Sequence, residues 1–179
     1  MRSIASATLL ALAACSPPSA EAPAARAGEM ERSAIPFAPL PSPDVTGARW
    51  VLTNLPQQIV YGKPGEPPFI ALACEQNGPR PHLRLTRLVA VPAGAKAVFT
   101  VDGNGYIARW KVDAAKADGG HNWQGIVDLD DYDLNALLGP RSIEATVPGA
   151  GTVIVNQNEL PRQLIEQCRS FIAPQQPAR

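Results

Sequence analysis

A pair of strand-like segments around Gly103, Asn104 and Gly105 constrains the fold more than any other feature of the sequence. Residues 95–102 and 106–113 are rich in β-branched and aromatic side chains, which suit extended strands. Glycine and asparagine tolerate the positive φ that a tight turn between antiparallel strands demands. The sequence therefore predicts a β-hairpin at this position.

Other segments on both sides of this hairpin also predict strands. Residues 68–74 form a nearly continuous apolar run, which is typical of a central strand covered on both faces. Residues 82–86 alternate polar with apolar side chains, and the alternation slips at 87–89, which indicates a bulge or bend. The remaining predicted strands are 49–53, 58–61, 121–128, 142–147 and 152–156.

Two helices are predicted in the second half of the chain. The first covers 131–138 and begins with aspartates, whose carboxylates accept hydrogen bonds from free N–H groups at a helix start. The second follows the N-cap residue Asn158 and covers 159–172, with one apolar stripe that is expected to pack on the core. The predicted fold class is mainly β (β-rich α+β): an antiparallel sandwich or open barrel of about seven or eight strands with a C-terminal helix.

The first 15 residues carry a signal for export. Arg2 precedes an uncharged, mostly apolar run over 4–14, which suits the core of a signal peptide and is shorter than the roughly 20 residues that span a bilayer. The run ends in Leu-Ala-Ala followed by Cys15, which resembles the lipobox of bacterial lipoproteins. The resemblance implies cleavage before Cys15 and lipidation of this cysteine, whose thiol takes a diacylglycerol and which thereby carries fatty acids such as palmitate. The alternative is an ordinary secretory signal with a cysteine near the cleavage site.

The residues after Cys15 predict where the protein is held. In the enteric version of lipoprotein sorting, an aspartate after the cysteine keeps the protein in the inner membrane, so Ser16 implies the periplasmic face of the outer membrane. Residues 16–46 contain seven prolines and seven alanines and predict a disordered tether. The predicted organisation is a signal peptide over 1–14, a lipidated cysteine and tether over 15–46, a β-rich periplasmic domain over 47–173 and a flexible tail over 174–179.

Cys74 and Cys168 are the two cysteines left for the domain. Each falls on a face predicted to be buried, and an oxidising compartment favours a disulfide between them. In the chain-entropy model, closing a loop of this length stabilises a domain by about 4–5 kcal/mol. The alternatives are two inert buried thiols or a redox pair, although the cysteines lack the Cys-x-x-Cys spacing of redox sites.

Sequence patterns for metal binding and hydrolysis are weak. The aspartates over 128–133 lack the glycine and the glutamate of a calcium loop, so no metal and no cofactor is predicted. His82 and His121 are the two histidines, and neither lies in a zinc or a serine-hydrolase motif. A Ser–His–Asp site assembled in space stays open, because such triads have no fixed sequence order.

Candidate binding residues lie on the predicted strands. A patch of basic side chains could bind lipid head groups or acidic glycans, or form an ordinary solvated face of the sheet. Its members are Arg80, His82, Arg84, Arg87, Arg109 and Lys111. The tryptophans, Trp50, Trp110 and Trp123, could form an aromatic platform for a ligand, but they are more typical of core anchors. Sixteen basic and sixteen acidic residues balance over the chain, so no nucleic acid partner is predicted.

Two resemblances bear on function. The stretch 105–110, with Tyr106 and Arg109, resembles the inhibitory loop of C-type lysozyme inhibitors of bacterial envelopes, without that loop's serine. The order of Tyr61-Gly62, Cys74, the hairpin and Cys168 resembles that in envelope lipoproteins of unknown activity from proteobacteria. The prediction is a membrane-anchored, non-enzymatic binding or structural module with an envelope protein or glycan as partner. The alternatives are an inhibitor of an envelope-attacking hydrolase such as lysozyme and a small periplasmic hydrolase.

Overall fold

A computed structural model describes residues 38–172, which all belong to one unit of the chain, Phe37–Arg179. Nine strands form one antiparallel sheet with the neighbour order β1-β2-β3-β4-β7-β6-β5-β8-β9. The strands are β1 (Arg49–Leu52), β2 (Gln58–Gly62), β3 (Ile70–Glu75), β4 (His82–Arg87), β5 (Lys96–Gly103), β6 (Tyr106–Ala117), β7 (Gly120–Asp128), β8 (Ile143–Thr146) and β9 (Thr152–Val155). The predicted signal peptide, Cys15, most of the predicted tether and the predicted tail lie outside the described residues.

The sheet curves round a single core and is nearly closed into a barrel. An apolar gap of about 10 Å³ inside it is lined by side chains from both ends of the sheet order, among them Trp50 of β1 and Val155 of β9. Near this junction the Asn156 N–H donates to the Tyr61 hydroxyl at 3.1 Å. The predicted fold class is confirmed in its open-barrel form. The sheet has nine strands rather than seven or eight, because every predicted segment joins it, including the four-residue β1 and β9.

One row of the inward face shows how the strands share the core. Its members lie directly opposite one another on β1, β2, β3, β4 and β7: Trp50, Tyr61, Ile70, Arg87 and Trp123. Directly paired residues of antiparallel strands point to the same face, and all five side chains are buried. The prediction that the tryptophans anchor the core is confirmed, since Trp50, Trp110 and Trp123 are 3, 5 and 1 % exposed.

The predicted hairpin is present as β5 and β6. Its turn places Asn104 at φ 56°, in the left-handed region that favours glycine and asparagine. The first predicted helix is a 3₁₀ turn, Tyr132–Leu134, followed by α1, Asn135–Leu138. Asp131 begins this segment by accepting a hydrogen bond from the Asp133 N–H at 2.9 Å. The aspartate therefore has the predicted role of a helix cap.

The second predicted helix is α2, Glu159–Ser170, which ends two residues before the predicted boundary. It packs on β1 to β4 and closes one end of the barrel, which we call the helix end. The Asn158 side chain accepts from the Leu160 N–H at 2.9 Å, so the predicted N-cap is confirmed. Cys168 of α2 forms the predicted disulfide with Cys74 of β3. In residues 38–172 no helix is long and apolar enough to span a membrane.

The opposite end of the barrel is closed by Arg87, and we call it the arginine end. The Arg87 guanidinium donates to the Phe69 carbonyl at 3.1 Å and to the Ala150 carbonyl at 3.0 Å. The prediction that Arg87 belongs to a solvated basic patch is wrong. Strand β4 continues through this residue and turns its side chain, 4 % exposed, into the barrel beside Leu83 and Leu85. Burial lowers the pKa of Arg87 to about 10.

Residues 38–46 lie against the barrel near the arginine end. The Ser42 hydroxyl accepts a hydrogen bond from the Thr152 N–H at 3.0 Å. The Asp44 carboxylate lies 2.7 Å from the Lys63 ammonium group. Contacts of the domain therefore begin ahead of residue 47, the predicted start of the domain.

Candidate functional site

Strands β6 and β7 separate part of the way along the barrel and leave a fork. They pair with each other over residues 113–117 of β6. Over 106–112, β6 is paired with β5, and over 126–128, β7 is paired with β4, but in the described sheet these two stretches do not pair with each other. Beyond the fork, the 3₁₀ turn and α1 contact β6 in place of β7.

Gly125 stands at the branch point of the fork. A Cβ atom on this residue would lie 2.5 Å from the Lys111 carbonyl oxygen and 3.0 Å from a methyl group of Val112. A backbone oxygen cannot move aside without moving its strand, so glycine lets β6 approach this closely. An isolated glycine inside a strand is the one sequence signal that marks such a crossing.

A groove lies on the outer surface at the branch point, with a volume of about 440 Å³. We call it the fork groove. Its lining comes from β3, β4, β6 and β7 and from the residues just after β3: Glu75, Asn77, Arg84, Lys111, Asp113, Ala115, Gln124, Gly125 and Ile126. The volume falls within the range of about 300–1,000 Å³ that ligand pockets occupy. Most of the lining side chains are polar or charged, so the groove suits a polar ligand.

Charges of both signs alternate round the fork groove. Arg84 Nη1 lies 2.9 Å from Glu75 Oε1, and Lys96 Nζ lies 2.8 Å from Asp113 Oδ1. Lys111 has no ion-pair partner among residues 38–172. The groove therefore offers one uncommitted positive charge between two paired carboxylates. Ile126 adds an apolar side chain that is 69 % exposed.

The structure disperses the basic residues singled out in the sequence. Arg84 and Lys111 line the fork groove, whereas Arg80 lies 3.8 Å from Asp130 at the surface. His82 Nε2 lies 3.3 Å from Glu75 Oε2, so this histidine meets the groove through a carboxylate. Sequence reasoning missed the remaining polar lining of the groove, because only the pairing of β6 with β7 brings those side chains together.

Tyr106 and Arg109 do not form one surface. Residues 106, 108, 110 and 112 of β6 point one way, and Arg109 belongs to the exposed outward set. Tyr106 instead meets Tyr132, with ring centroids 5.4 Å apart and planes at 72°. The neighbouring Tyr132 phenol raises the pKa of the Tyr106 phenol above its usual range. The stretch that resembles lysozyme inhibitors thus places its two candidate residues on opposite faces of β6.

A second pocket of about 440 Å³ lies beside Tyr106, between the β5–β6 turn, α1 and α2. We call it the Tyr106 pocket. Its lining residues are Asn104, Tyr106, Asn135, Leu138, Gly139, Pro140, Arg141 and Arg162. Asn104 holds the pocket together: its Nδ2 donates to the Ala136 carbonyl at 2.9 Å, and its Oδ1 accepts from the Arg141 N–H at 3.0 Å.

The His82 ring makes contacts other than those of a hydrolase triad. His82 Nδ1 lies 3.4 Å from the Arg80 carbonyl, and its other ring nitrogen faces Glu75. Across residues 38–172, no hydrogen bond joins a serine to His82 or His121. In the same part of the chain no three His, Cys, Asp or Glu side chains are placed to hold a metal ion. The residues that line the two pockets can offer a ligand hydrogen bonds, ion pairs and apolar contact.

Comparisons of the chain with protein-family models, with curated proteins and with solved structures find no match. The functional argument therefore begins from the geometry of the barrel and its two pockets.

Proposed function

We propose that this protein is a membrane-anchored binding module of the bacterial envelope, and that the fork groove receives an extended segment of a protein partner. The observation that carries the proposal is the fork itself. Two neighbouring strands part at Gly125 and leave a polar groove on an otherwise continuous sheet.

Open strand edges favour an extended peptide as the ligand. A peptide that lies along such an edge gains main-chain hydrogen bonds, and pockets for alternate side chains then select its sequence. In the fork groove, Lys111 of β6 and Ile126 of β7 belong to the stretches that do not pair with each other. A globular surface or a bulky ring system would not use these edges.

The charges of the groove set the register of such a peptide. Lys111 is available to a carboxylate of the partner, while Glu75 and Asp113 each already hold a cation. Ile126 offers an apolar contact beside them. Complementary charges of this kind fix orientation and speed association more than they add affinity.

The anchor rests on the sequence around Cys15. The apolar run over 4–14 and the lipobox-like Leu-Ala-Ala-Cys support cleavage before Cys15 and transfer of a diacylglycerol to its thiol. Two or more acyl chains hold a protein stably, since each buried CH₂ contributes about 0.8 kcal/mol. Ser16 supports the periplasmic face of the outer membrane as the location.

Site-specific photocrosslinking in native envelopes tests the groove. A photoreactive phenylalanine replaces Ile126 in the groove or, as the matched control, Ile154 on the outward face of β9; the native side chains are 69 % and 38 % exposed. We expect a discrete protein adduct from position 126 and none from position 154. Lys111→Glu should reduce this adduct about tenfold, because it places a third carboxylate in the groove.

Lys116→Glu is the charge control for that experiment, since Lys116 is an exposed lysine of β6 outside the groove lining. It should leave the adduct unchanged. Equal adducts from positions 126 and 154, or an adduct insensitive to Lys111→Glu, would show that the fork groove is not the binding surface.

The anchor has a separate test. Cys15→Ser should abolish labelling by a palmitate analogue and move the protein from the membrane fraction to the soluble periplasmic fraction. Continued labelling of the variant would contradict lipidation at Cys15. The groove experiment does not depend on this result.

A further inference from the structure

The Tyr106 pocket differs from the fork groove in its charge. Its lining contains two arginines, Arg141 and Arg162, and no acidic residue among those that the structure describes. Arg141 has no ion-pair partner in residues 38–172. The two pockets share no lining residue, so they are separate features of the barrel.

Arg162 is held in place at the wall of this pocket. Its Nη2 donates to the Leu138 carbonyl. Glu159 and Glu166 of the same helix lie 3.7 and 3.9 Å from its other nitrogens, too far for close hydrogen bonds. These exposed carboxylates balance part of its charge, so the net attraction for an anion comes mainly from Arg141.

The pocket also has an aromatic residue in its lining. Tyr106 lines it, and the Tyr132 ring packs against the Tyr106 ring with centroids 5.4 Å apart and planes at 72°. Asn135 adds a side-chain amide, and its Nδ2 is oriented by donating to the Tyr132 carbonyl at 2.7 Å. An aromatic face with amides beside it suits a small polar ring, and arginine suits the two oxygens of a carboxylate or phosphate.

The framework of the pocket is set before any ligand arrives. Asn104 joins the β5–β6 turn to α1 and to the Arg141 N–H, so the backbone on two sides of the pocket is linked by one side chain. Binding to a framework of this kind requires little ordering of the backbone.

We infer that the Tyr106 pocket is a binding site for a small anionic ring ligand, a sugar that carries one phosphate or carboxylate group. Arg141 binds the anionic group, and Tyr106 packs against the ring. The site is independent of the peptide-binding role of the fork groove.

Amide chemical-shift titration of the full mature chain carrying Cys15→Ser tests this site. The probes are glucose 6-phosphate, glucuronate, neutral glucose and inorganic phosphate. We expect glucose 6-phosphate and glucuronate to shift the amides of Asn104, Tyr106, Asn135 and Arg141. Both should bind about tenfold or more tightly than glucose, and also than inorganic phosphate, which lacks the ring.

Arg141→Gln should weaken the binding of both anionic sugars about tenfold. The control is Arg49→Gln, which removes an exposed arginine of β1 outside the pocket lining and should leave binding unchanged. The Arg141 side chain is exposed, and a dispersed spectrum verifies that the variant folds. Shifts outside the pocket, equal binding of glucose and glucose 6-phosphate, binding of phosphate alone with equal affinity, or no effect of Arg141→Gln would each overturn the proposal.

Discussion

At the helix end of the barrel, α2 lies across β1 to β4 and is joined to β3 by the Cys74–Cys168 disulfide, whereas at the arginine end one guanidinium takes the place of a helix. The helix end excludes water with apolar side chains and a covalent bond. The arginine end excludes water with a buried charge whose partners are two backbone carbonyls. The Arg87 Nε has no hydrogen-bond partner in residues 38–172.

The comparison shows that the two ends of one barrel can be closed by interactions that differ in how much they stabilise the fold. Burying a charge without an opposite charge carries a desolvation cost that two hydrogen bonds only partly offset. The segment before β1 also lies near the arginine end, where the Leu40 N–H donates to the Gly149 carbonyl at 2.9 Å. We therefore expect this end to open at a lower free energy than the helix end.

The largest expected effect comes from removing the covalent link at the helix end. Replacing both Cys74 and Cys168 by alanine should lower the free energy of unfolding by about 4 kcal/mol, because the bond closes a loop with a separation of 94 residues. Denaturant unfolding of the oxidised protein and the double variant measures this loss. A loss below about 1 kcal/mol would mean that packing of α2, rather than the bond, closes this end.

Arg87 is the corresponding target at the arginine end. Arg87→Ala should cost about 3 kcal/mol, since it leaves a cavity and leaves the Phe69 and Ala150 carbonyls without a donor. Arg87→Met should cost clearly less in the same unfolding experiment, because it refills the volume and removes the buried charge. Equal losses for the two variants would show that the hydrogen bonds, not the filled volume, close this end.

Asn104 tests how much a single side chain stabilises the helix end. Asn104→Ala should cost about 2 kcal/mol, because it loses two hydrogen bonds and places at φ 56° an alanine, which lacks the polar side chain that lets asparagine adopt the left-handed region. Asn104→Gly loses the same bonds without the strain, so its loss should be smaller by up to about 1 kcal/mol. Thermal unfolding of both variants measures the difference, and an alanine variant as stable as the glycine variant would contradict the strain.

The smallest effect concerns acid at the arginine end. Hydrogen bonds from Lys63 and from the Thr46 N–H hold the pKa of Asp44 well below its usual range. A carboxylate with a depressed folded pKa stabilises the fold above its unfolded pKa of about 4 and loses that contribution as the pH falls. Amide exchange of Leu40 and Thr152 should therefore accelerate below about pH 4 relative to other amides of the sheet. Asp44→Asn should remove this extra pH dependence; if it persists in the variant, Asp44 is not its origin.

Much of the barrel could be predicted from local patterns. The hairpin at Asn104, the helix cap at Asn158 and the apolar run before Cys74 each express a preference that acts within a few residues. The Cys74–Cys168 bond could also be predicted, since only two cysteines remained and both fell on buried faces.

Arg87 and the fork groove are features that local sequence patterns could not predict. An arginine at the end of an alternating strand is normally exposed, and only the β8–β9 turn that supplies the Ala150 carbonyl makes its burial tolerable. In the sequence, Gly125 indicates only an interruption of a strand. The structure gives the reason for the glycine, since the Lys111 carbonyl leaves no room for a Cβ atom. Both outcomes depend on segments far apart in the sequence.

The sequence by itself determined the class of this domain, its turns and caps, its disulfide and the expectation of an anchor at Cys15. These follow from φ preferences, periodicity and the chemistry of single residues. Only the tertiary structure decided which strands part at Gly125, which end of the barrel carries a buried charge, and which side chains share the Tyr106 pocket. The physical reason is that packing round a common core decides which strands become neighbours, such as β4 and β7. A pattern within a few residues carries no information about that packing.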